Sequence, residues 1–310
     1  MQKHYVMNKL QFIIVQPIIW FFSHLPMPLL YLLSDFLFIL VYYIIGYRKK
    51  VVYNNLKLCF PEKKEIELKK LTKKSLRHFC DFLVENIKAF GITKKESIKR
   101  FTYKNPEALN DAVNKGKNII LTTAHLSNWE WATGMPFITD IQLHATYQEI
   151  KNEHFENLVK KSRNKFGGIP LSIDDTIPTI LRNLRKGKKG AYILLSDQSP
   201  QLHKANYWHP FFGVNVPVHT GVEVIAKKFD MTIINFSSKK IKRGYYEVTF
   251  ELVTETPKDY KNYELTDKYL EITERNIKEQ PDLYMWTHKR FKHKDKHQEW
   301  LELQNKKTAS

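Results

Sequence analysis

Cysteine is nearly absent: Cys59 and Cys80 are the only two in 310 residues. Their spacing fits no metal or redox motif and supports no disulfide framework, so the chain suits a reducing compartment. Glycine is sparse as well, at 11 residues, and forms neither a dinucleotide fingerprint nor a Walker loop. There is no His-Glu-x-x-His, and the histidines from His288 to His297 lack metal spacing. Neither a metal nor a cofactor is expected. Acidic residues are outnumbered 32 to 50 by Lys and Arg, for a formal charge of +18. Such an excess, carried here mostly by Lys, favours an anionic partner: a nucleic acid, an acidic protein or an anionic lipid surface. No recognisable nucleic-acid module accompanies it, so no nucleic-acid partner is expected.

Apolar residues are abundant, at 43%. They suffice for one large core, or for a core plus a membrane element. Leu10 to Leu25 is apolar but broken by Gln11, Gln16 and Pro17, as in a helix lying in an interface. Leu29 to Tyr47 is denser and just long enough to cross a bilayer, which takes about 20 residues. Asp35 opposes a simple span, since a central carboxylate costs roughly 2.5–3.5 kcal/mol on insertion. The Leu, Ile, Phe and Val around it return roughly 0.3–0.6 kcal/mol each and offset that cost. An N-terminal hydrophobic membrane helix or helical hairpin is therefore expected, with a pair of buried core helices as the alternative. The region runs into Arg48-Lys49-Lys50 without a small-residue cleavage site, unlike a signal peptide. That cluster sets the following chain on the cytoplasmic side, though Lys3 and Lys9 weaken the asymmetry.

Val51 to Phe90 is helical in pattern, with apolar residues from Leu68 to Phe90 at three-to-five spacing and Gly91 as the stop. Beyond Asn118, apolar runs alternate with helical patterns. Strands are predicted at Ile119 to Ala124, Gln142 to Tyr147, Ala191 to Ser196, Thr232 to Ser237 and Tyr246 to Val253. Helices are predicted at Asn128 to Phe137, Asn152 to Phe166, Thr176 to Lys186, Gly221 to Phe229 and Thr266 to Glu279. This alternation predicts an α/β fold: a mixed, mostly parallel sheet flanked by helices. Ser199 to Val218, with Pro200, Pro210 and Pro217, is predicted to be a long structured loop. After Phe291 a Lys-, His- and Glu-rich tail is expected as a solvated helix or frayed end.

The most informative stretch is Asn118 to Trp131. A β-branched strand breaks at His125, then Ser127 and Asn128 offer helix caps. Open α/β folds place sites where a strand ends at the mouth of a helix. Glu130, in the first turn, is expected to reach back to the His125 imidazole, fix its tautomer and raise its basicity. A His satisfied at a strand end is the plainer alternative. Leu194-Leu195-Ser196-Asp197-Gln198 repeats the layout, an apolar strand ending in polar groups at what should be the same sheet edge. A turn or cap role for Asp197 is equally open. Phe211 and Phe212 are candidates for an apolar wall or for local packing, and Arg163 for a charged site residue or a solvated helix face. Gln280 to Lys292 mixes aromatics with bases, Arg290 among them, as an interfacial or anion-binding surface would.

His125-Leu-Ser-Asn128-Trp129-Glu130 resembles the His-x4-Glu block of the lipid A biosynthesis (lauroyl/myristoyl) acyltransferases, a branch of the lysophospholipid acyltransferase superfamily. Arg48 to Pro61, Glu85, Asp197-Gln198, Pro210-Phe-Phe-Gly213 with Gly221, and Tyr284 to Lys292 are similar to further blocks in the same order. Leu126-Ser127 departs from the frequent Phe-Gly. The resemblance implies residues 1–50 as a membrane-associated segment and 51–310 as an acyltransferase domain at the cytoplasmic face of a bacterial inner membrane. It implies transfer of a fatty acyl chain from acyl carrier protein to a lipid acceptor, a lipid A precursor before others, alongside membrane phospholipid. His125 and Glu130 would be catalytic. Asn128, Arg163, Asp197, Gln198, Phe211, Phe212 and Arg290 would contact substrate. Two alternatives remain: another amphiphile as acceptor, and a basic membrane-associated binding protein without catalysis.

Overall fold

The structure is a computed structural model that describes residues 2–308, with side chains for 12–306. Met1 and residues 309–310, the ends of the expected segments, lie outside the described residues, as do the side chains of Lys3, Lys9, Leu10 and Gln11.

The chain opens with two helices, α1 (Gln2–His24) and α2 (Met27–Ile39), and a π-helical turn, Leu40–Ile44, extends α2. Pro26 stops one helix and starts the next, having no N–H to lose at a helix start. Next come α3 (Lys49–Cys59), the long α4 (Glu65–Gly91) and α5 (Lys94–Arg100). Strand and helix then alternate: β1 (Phe101–Tyr103), α6 (Glu107–Asn114), β2 (Ile119–Thr123), a 3₁₀ helix (Trp129–Phe137), β3 (Gln142–Tyr147) and α7 (Glu153–Asn164). The pattern continues through β4 (Ile169–Ser172), α8 (Thr176–Arg185), β5 (Gly190–Leu195), the hairpin β6 (Tyr207–Phe211) and β7 (Val214–Val218), and α9 (Gly221–Phe229). It closes with β8 (Thr232–Lys242), β9 (Tyr245–Thr254), α10 (Glu264–Glu279) and α11 (His297–Thr308).

Seven strands form one sheet in the order β1-β9-β8-β2-β5-β3-β4. The pairs among β8, β2, β5, β3 and β4 are parallel, and β9 runs antiparallel to β8. The expected mixed, mostly parallel α/β sheet is present. Every residue of β2 is buried, as a central strand covered on both faces requires. Ile119 and Leu121 join the core under α2, α4 and α6, whereas Ile120 faces the other way, toward α8 and α9.

Sequence patterning missed β1, β4 and the β6–β7 hairpin. The first two are short edge strands, and the hairpin occupies the proline-rich stretch expected to be a loop. Gly91 ends α4 without adopting a left-handed conformation. A Cβ there would collide with the Ser23 carbonyl, so the glycine admits the end of α1.

Met27 and Leu30 of α2 are buried in the main core beside Val84 of α4. Its polar flank is also engaged. Ser34 Oγ donates to Asp81 at 2.6 Å, and Asp35 accepts from Arg77 at 2.6 Å and Arg243 at 2.5 Å. Asp35 thus faces protein cations, which answers the cost of a carboxylate in an apolar helix. Leu29, Leu32, Phe36 and Ile39 recur at helical spacing on the opposite, exposed face. Ile13, Ile14, Ile18, Trp20 and Phe21 of α1 are exposed as well.

Candidate active site

Strand β2 delivers His125 to the C-terminal edge of the sheet, and its parallel neighbour β5 delivers Asp197 to the same edge. Tyr269 of α10 clamps both strand ends. Its hydroxyl donates to Thr123 O at 2.8 Å and accepts from Ser196 N at 3.1 Å. The His125 loop is pinned from outside: Ser127 N donates to Leu283 O at 3.0 Å and Met285 N to His125 O at 2.9 Å. Asn55 of α3 holds that outer segment by donating to the carbonyls of Trp286 and His288, both at 2.8 Å. Ser127 sits at φ 62°, a left-handed conformation that favours glycine. The preference for Gly noted at this place in the resembling family thus has a backbone cause.

His125 Nδ1 lies 2.8 Å from Asp197 Oδ1. Asp197 is fully buried, while the His125 side chain keeps 22% of its surface exposed. A buried carboxylate accepts, so Nδ1 carries the proton and Nε2 is left as a basic lone pair. Burial alone would lower the imidazole's proton affinity. The charge and hydrogen bond of Asp197, with the charge of Glu130, outweigh burial and hold His125 above the ordinary histidine value. Burial works against the Asp197 charge too, but His125 keeps that carboxyl below its usual range.

Glu130 does not reach back to the imidazole as expected. It accepts from Arg163 Nη2 at 2.8 and 3.0 Å and from Nε at 3.4 Å. After the Ser127 turn the chain enters a 3₁₀ helix rather than an α-helix, aiming Glu130 across the cleft at α7. Parallel pairing meanwhile supplies His125 with an acid 72 residues further along the chain. Arg163 also lies over the Tyr147 ring, 4.9 Å from its centroid, and its Nη1 is buried without a partner.

These groups open onto a cleft of about 650 Å³ lined by His125, Trp129, Glu130, Arg163, Gln198 and His219. Deeper, the walls are apolar: Leu143, Ala145, Ile193, Leu195, Val222 and Phe236. His219 was not anticipated, and nothing in its sequence context marks it. His288 accepts from Ser199 N at 3.2 Å, and burial, with Lys292 and Arg290 nearby, pushes its pKa down to about 4. Among the described residues, no three His, Cys, Asp or Glu side chains gather as a metal-binding group.

Four predicted contact residues lie elsewhere. Asn128 caps the 3₁₀ helix as expected, accepting from Trp131 N at 3.3 Å, but donates its amide to Glu85 at 2.6 Å. Fully buried and aimed at α4, it presents no donor to the cleft. Phe211 is fully buried beside Phe291 and the Arg290 guanidinium. Phe212 packs on Phe60 and Trp286. The β6–β7 hairpin folds onto the α3–α10 side, so neither ring lines the cleft. Arg290 is itself buried, donating to Pro217 O at 3.2 Å, and presents no anion-binding surface.

The family profile described as bacterial lipid A biosynthesis acyltransferase matches residues 2–293, nearly the whole chain. The protein belongs to that family. It is similar to the lipid A biosynthesis lauroyltransferase of Escherichia coli K12, 24% identical over 277 residues that cover 89% of each chain. The palmitoleoyltransferase of the same strain and a lipid A biosynthesis acyltransferase of Shigella flexneri are each 22% identical over 283 residues, again 89% of each chain. The protein is therefore an acyltransferase with an acyl donor and a lipid acceptor, and the non-catalytic alternative falls.

Proposed function

We propose that this lipid A acyltransferase moves a fatty acyl chain from an acyl carrier protein thioester to a hydroxyl of a lipid A precursor, with His125 as general base. The observation that carries this reading is the His125–Asp197 pair at the mouth of an apolar cleft whose other wall holds Arg163. The acceptor oxygen attacks the thioester carbon while its proton passes to His125 Nε2. Asp197 stabilises the imidazolium, as a buried acid does in other histidine-based sites. Arg163 Nη1 donates to the thioester oxygen as it becomes an oxyanion, held in place by Glu130. Collapse of the tetrahedral intermediate expels the thiolate, which takes the proton from Nε2. The acyl chain lies against Ala145, Ile193 and Phe236.

The exposed apolar faces of α1 and α2 support a seat on the membrane, with α2 lying in the interface. Its other face is committed to the protein, so it does not cross alone. Arg48 to Lys50 then face anionic headgroups on the cytoplasmic side of the inner membrane.

Purified enzyme, acyl carrier protein thioesters and a lipid A precursor test the reading, with mass spectrometry of the lipid product. His125→Ala should abolish transfer while leaving the fold intact. Wild-type turnover in that variant would remove His125 from the reaction, and product on another amphiphile alone would replace the acceptor.

A further inference from the structure

Glu85 is a buried acid that the proposed reaction does not use. It sits on α4 with no exposed surface, among donors that are all neutral. Tyr31 of α2 donates to Oε1 at 2.7 Å. Asn128 Nδ2 and Tyr246 of β9 donate to Oε2 at 2.6 and 2.8 Å. Trp131 Nε1 donates to the Glu85 carbonyl at 3.1 Å. The carboxylate therefore joins α2, the sheet and the start of the first 3₁₀ turn after His125, while the main-chain carbonyl of the same residue holds Trp131. Burial pushes the Glu85 carboxyl above its ordinary range despite the three side-chain donors.

The arrangement has a local consequence. In the conformation that caps Trp131 N, Asn128 aims its amide into α4, where Glu85 is the acceptor. Without it a buried amide goes unpaired, a loss of about 1–3 kcal/mol, and the cap loses its orientation. The residues that follow are Trp129, whose ring lies edge-on to His125 at 4.9 Å, and Glu130, which holds Arg163. Tyr31 reaches the other oxygen of the same carboxylate from the helix whose far face is apolar and exposed.

We propose that Glu85 is a positioning residue, through which the seating of α2 on the enzyme body sets the geometry of the His125–Glu130 loop. The proposal rests on the reading of that loop as the catalytic one. The test uses the full chain in detergent micelles, with Glu85→Gln and the milder Tyr31→Phe. Two readouts are taken: steady-state acyl transfer, and a ¹³Cε1-histidine NMR titration in which the His125 signal is assigned by its loss in His125→Ala.

Glu85→Gln should lower kcat about tenfold or more with KM nearly unchanged, since small misplacements of reacting groups are costly in rate. It should also move the His125 titration down toward the ordinary histidine value of about 6.5. Tyr31→Phe should do both more weakly, and should add nothing in the Glu85→Gln background, because the two act through one contact. Wild-type kcat and titration in folded Tyr31→Phe and Glu85→Gln would overturn the proposal. So would lost thermal stability with an unchanged titration in the folded protein, which marks a purely structural role. The titration needs no turnover. A shifted titration in a protein that transfers no acyl group would sink the proposed function and leave the positioning role standing.

Discussion

At the scale of single residues, the site is a problem of which acid serves which base. Asp197 raises the proton affinity of His125 by charge and by hydrogen bond, against burial. In Asp197→Asn the burial contribution remains while the Asp197 charge is lost, leaving the Glu130 charge alone to oppose it, so the imidazole pKa falls. The acid limb of the pH–rate profile should move to lower pH, while kcat drops by about 10²-fold or more through loss of the correct tautomer and of imidazolium stabilisation. An unmoved acid limb would mean that His125 is not the titrating base. Arg163 sits in a bidentate pair with Glu130. Arg163→Lys should lose about 10²-fold in kcat despite keeping the charge, because a compact ammonium cannot reproduce the planar fork that holds Glu130 on one side and turns a separate nitrogen to the oxyanion. Steady-state kinetics of the variant near wild type would remove Arg163 from that role.

At the scale of elements, α2 is both a core helix and an apolar surface. Deleting residues up to Tyr47 would strip Met27 and Leu30 from the core and so test folding as much as membrane binding. Leu32→Ser with Phe36→Ser touches only the exposed face. This pair should release the enzyme from phospholipid vesicles while leaving its denaturation midpoint in detergent nearly unchanged. Flotation equal to wild type would refute the interfacial seat. Arg243 ties the β8–β9 turn to Asp81 and Asp35. Arg243→Met leaves the buried Asp81 short of donors and should cost roughly 1–3 kcal/mol in a urea titration. Within the cleft, Ala145 is the small residue among larger apolar ones. Ala145→Leu should shift the preferred acyl chain shorter, with about fourfold discrimination per methylene at about 0.8 kcal/mol each. An unchanged chain profile would move the acyl groove elsewhere.

At the scale of the molecule, the basic surface divides between two edges of the sheet. The turn Lys186 to Lys189 precedes β5, so it lies at the edge opposite His125, about 20 Å away by the rise of the strand. Lys289, Lys292, Lys294 and Lys296 are exposed and follow the segment that braces the His125 loop. An acidic carrier docked beside them can deliver a thioester to the cleft, whereas one docked at the far turn cannot. Charge reversal at Lys289 and Lys292 should therefore raise KM for the carrier-bound donor, most strongly at low salt, since attraction is screened beyond about 8 Å at 0.15 M. Reversal at Lys188 and Lys189 should leave it unchanged. Equal effects at both edges would show the charge to be a general field rather than a docking face.

By itself the sequence determined whatever depends on near neighbours. Alternating apolar runs set the strands and helices around the sheet, Asn128 was legible as a cap, and the layout repeated at Asp197 placed a second polar strand end. Gly91 was legible as the end of α4 but not as the gap that admits Ser23. Partners across the fold were decided only by tertiary structure. Local spacing paired His125 with Glu130. Sheet order instead set β5 beside β2 and gave the imidazole Asp197, leaving Glu130 to Arg163 on α7. Phe211 and Phe212 read as a cleft wall until the β6–β7 hairpin turned them onto the α3–α10 side, and Arg290 read as surface until the same packing buried it. The physical reason is common to all of these. Period and capping act within a turn or two of chain, whereas a charge finds its counterpart through the packing of elements far apart in sequence, 72 residues for His125 and Asp197.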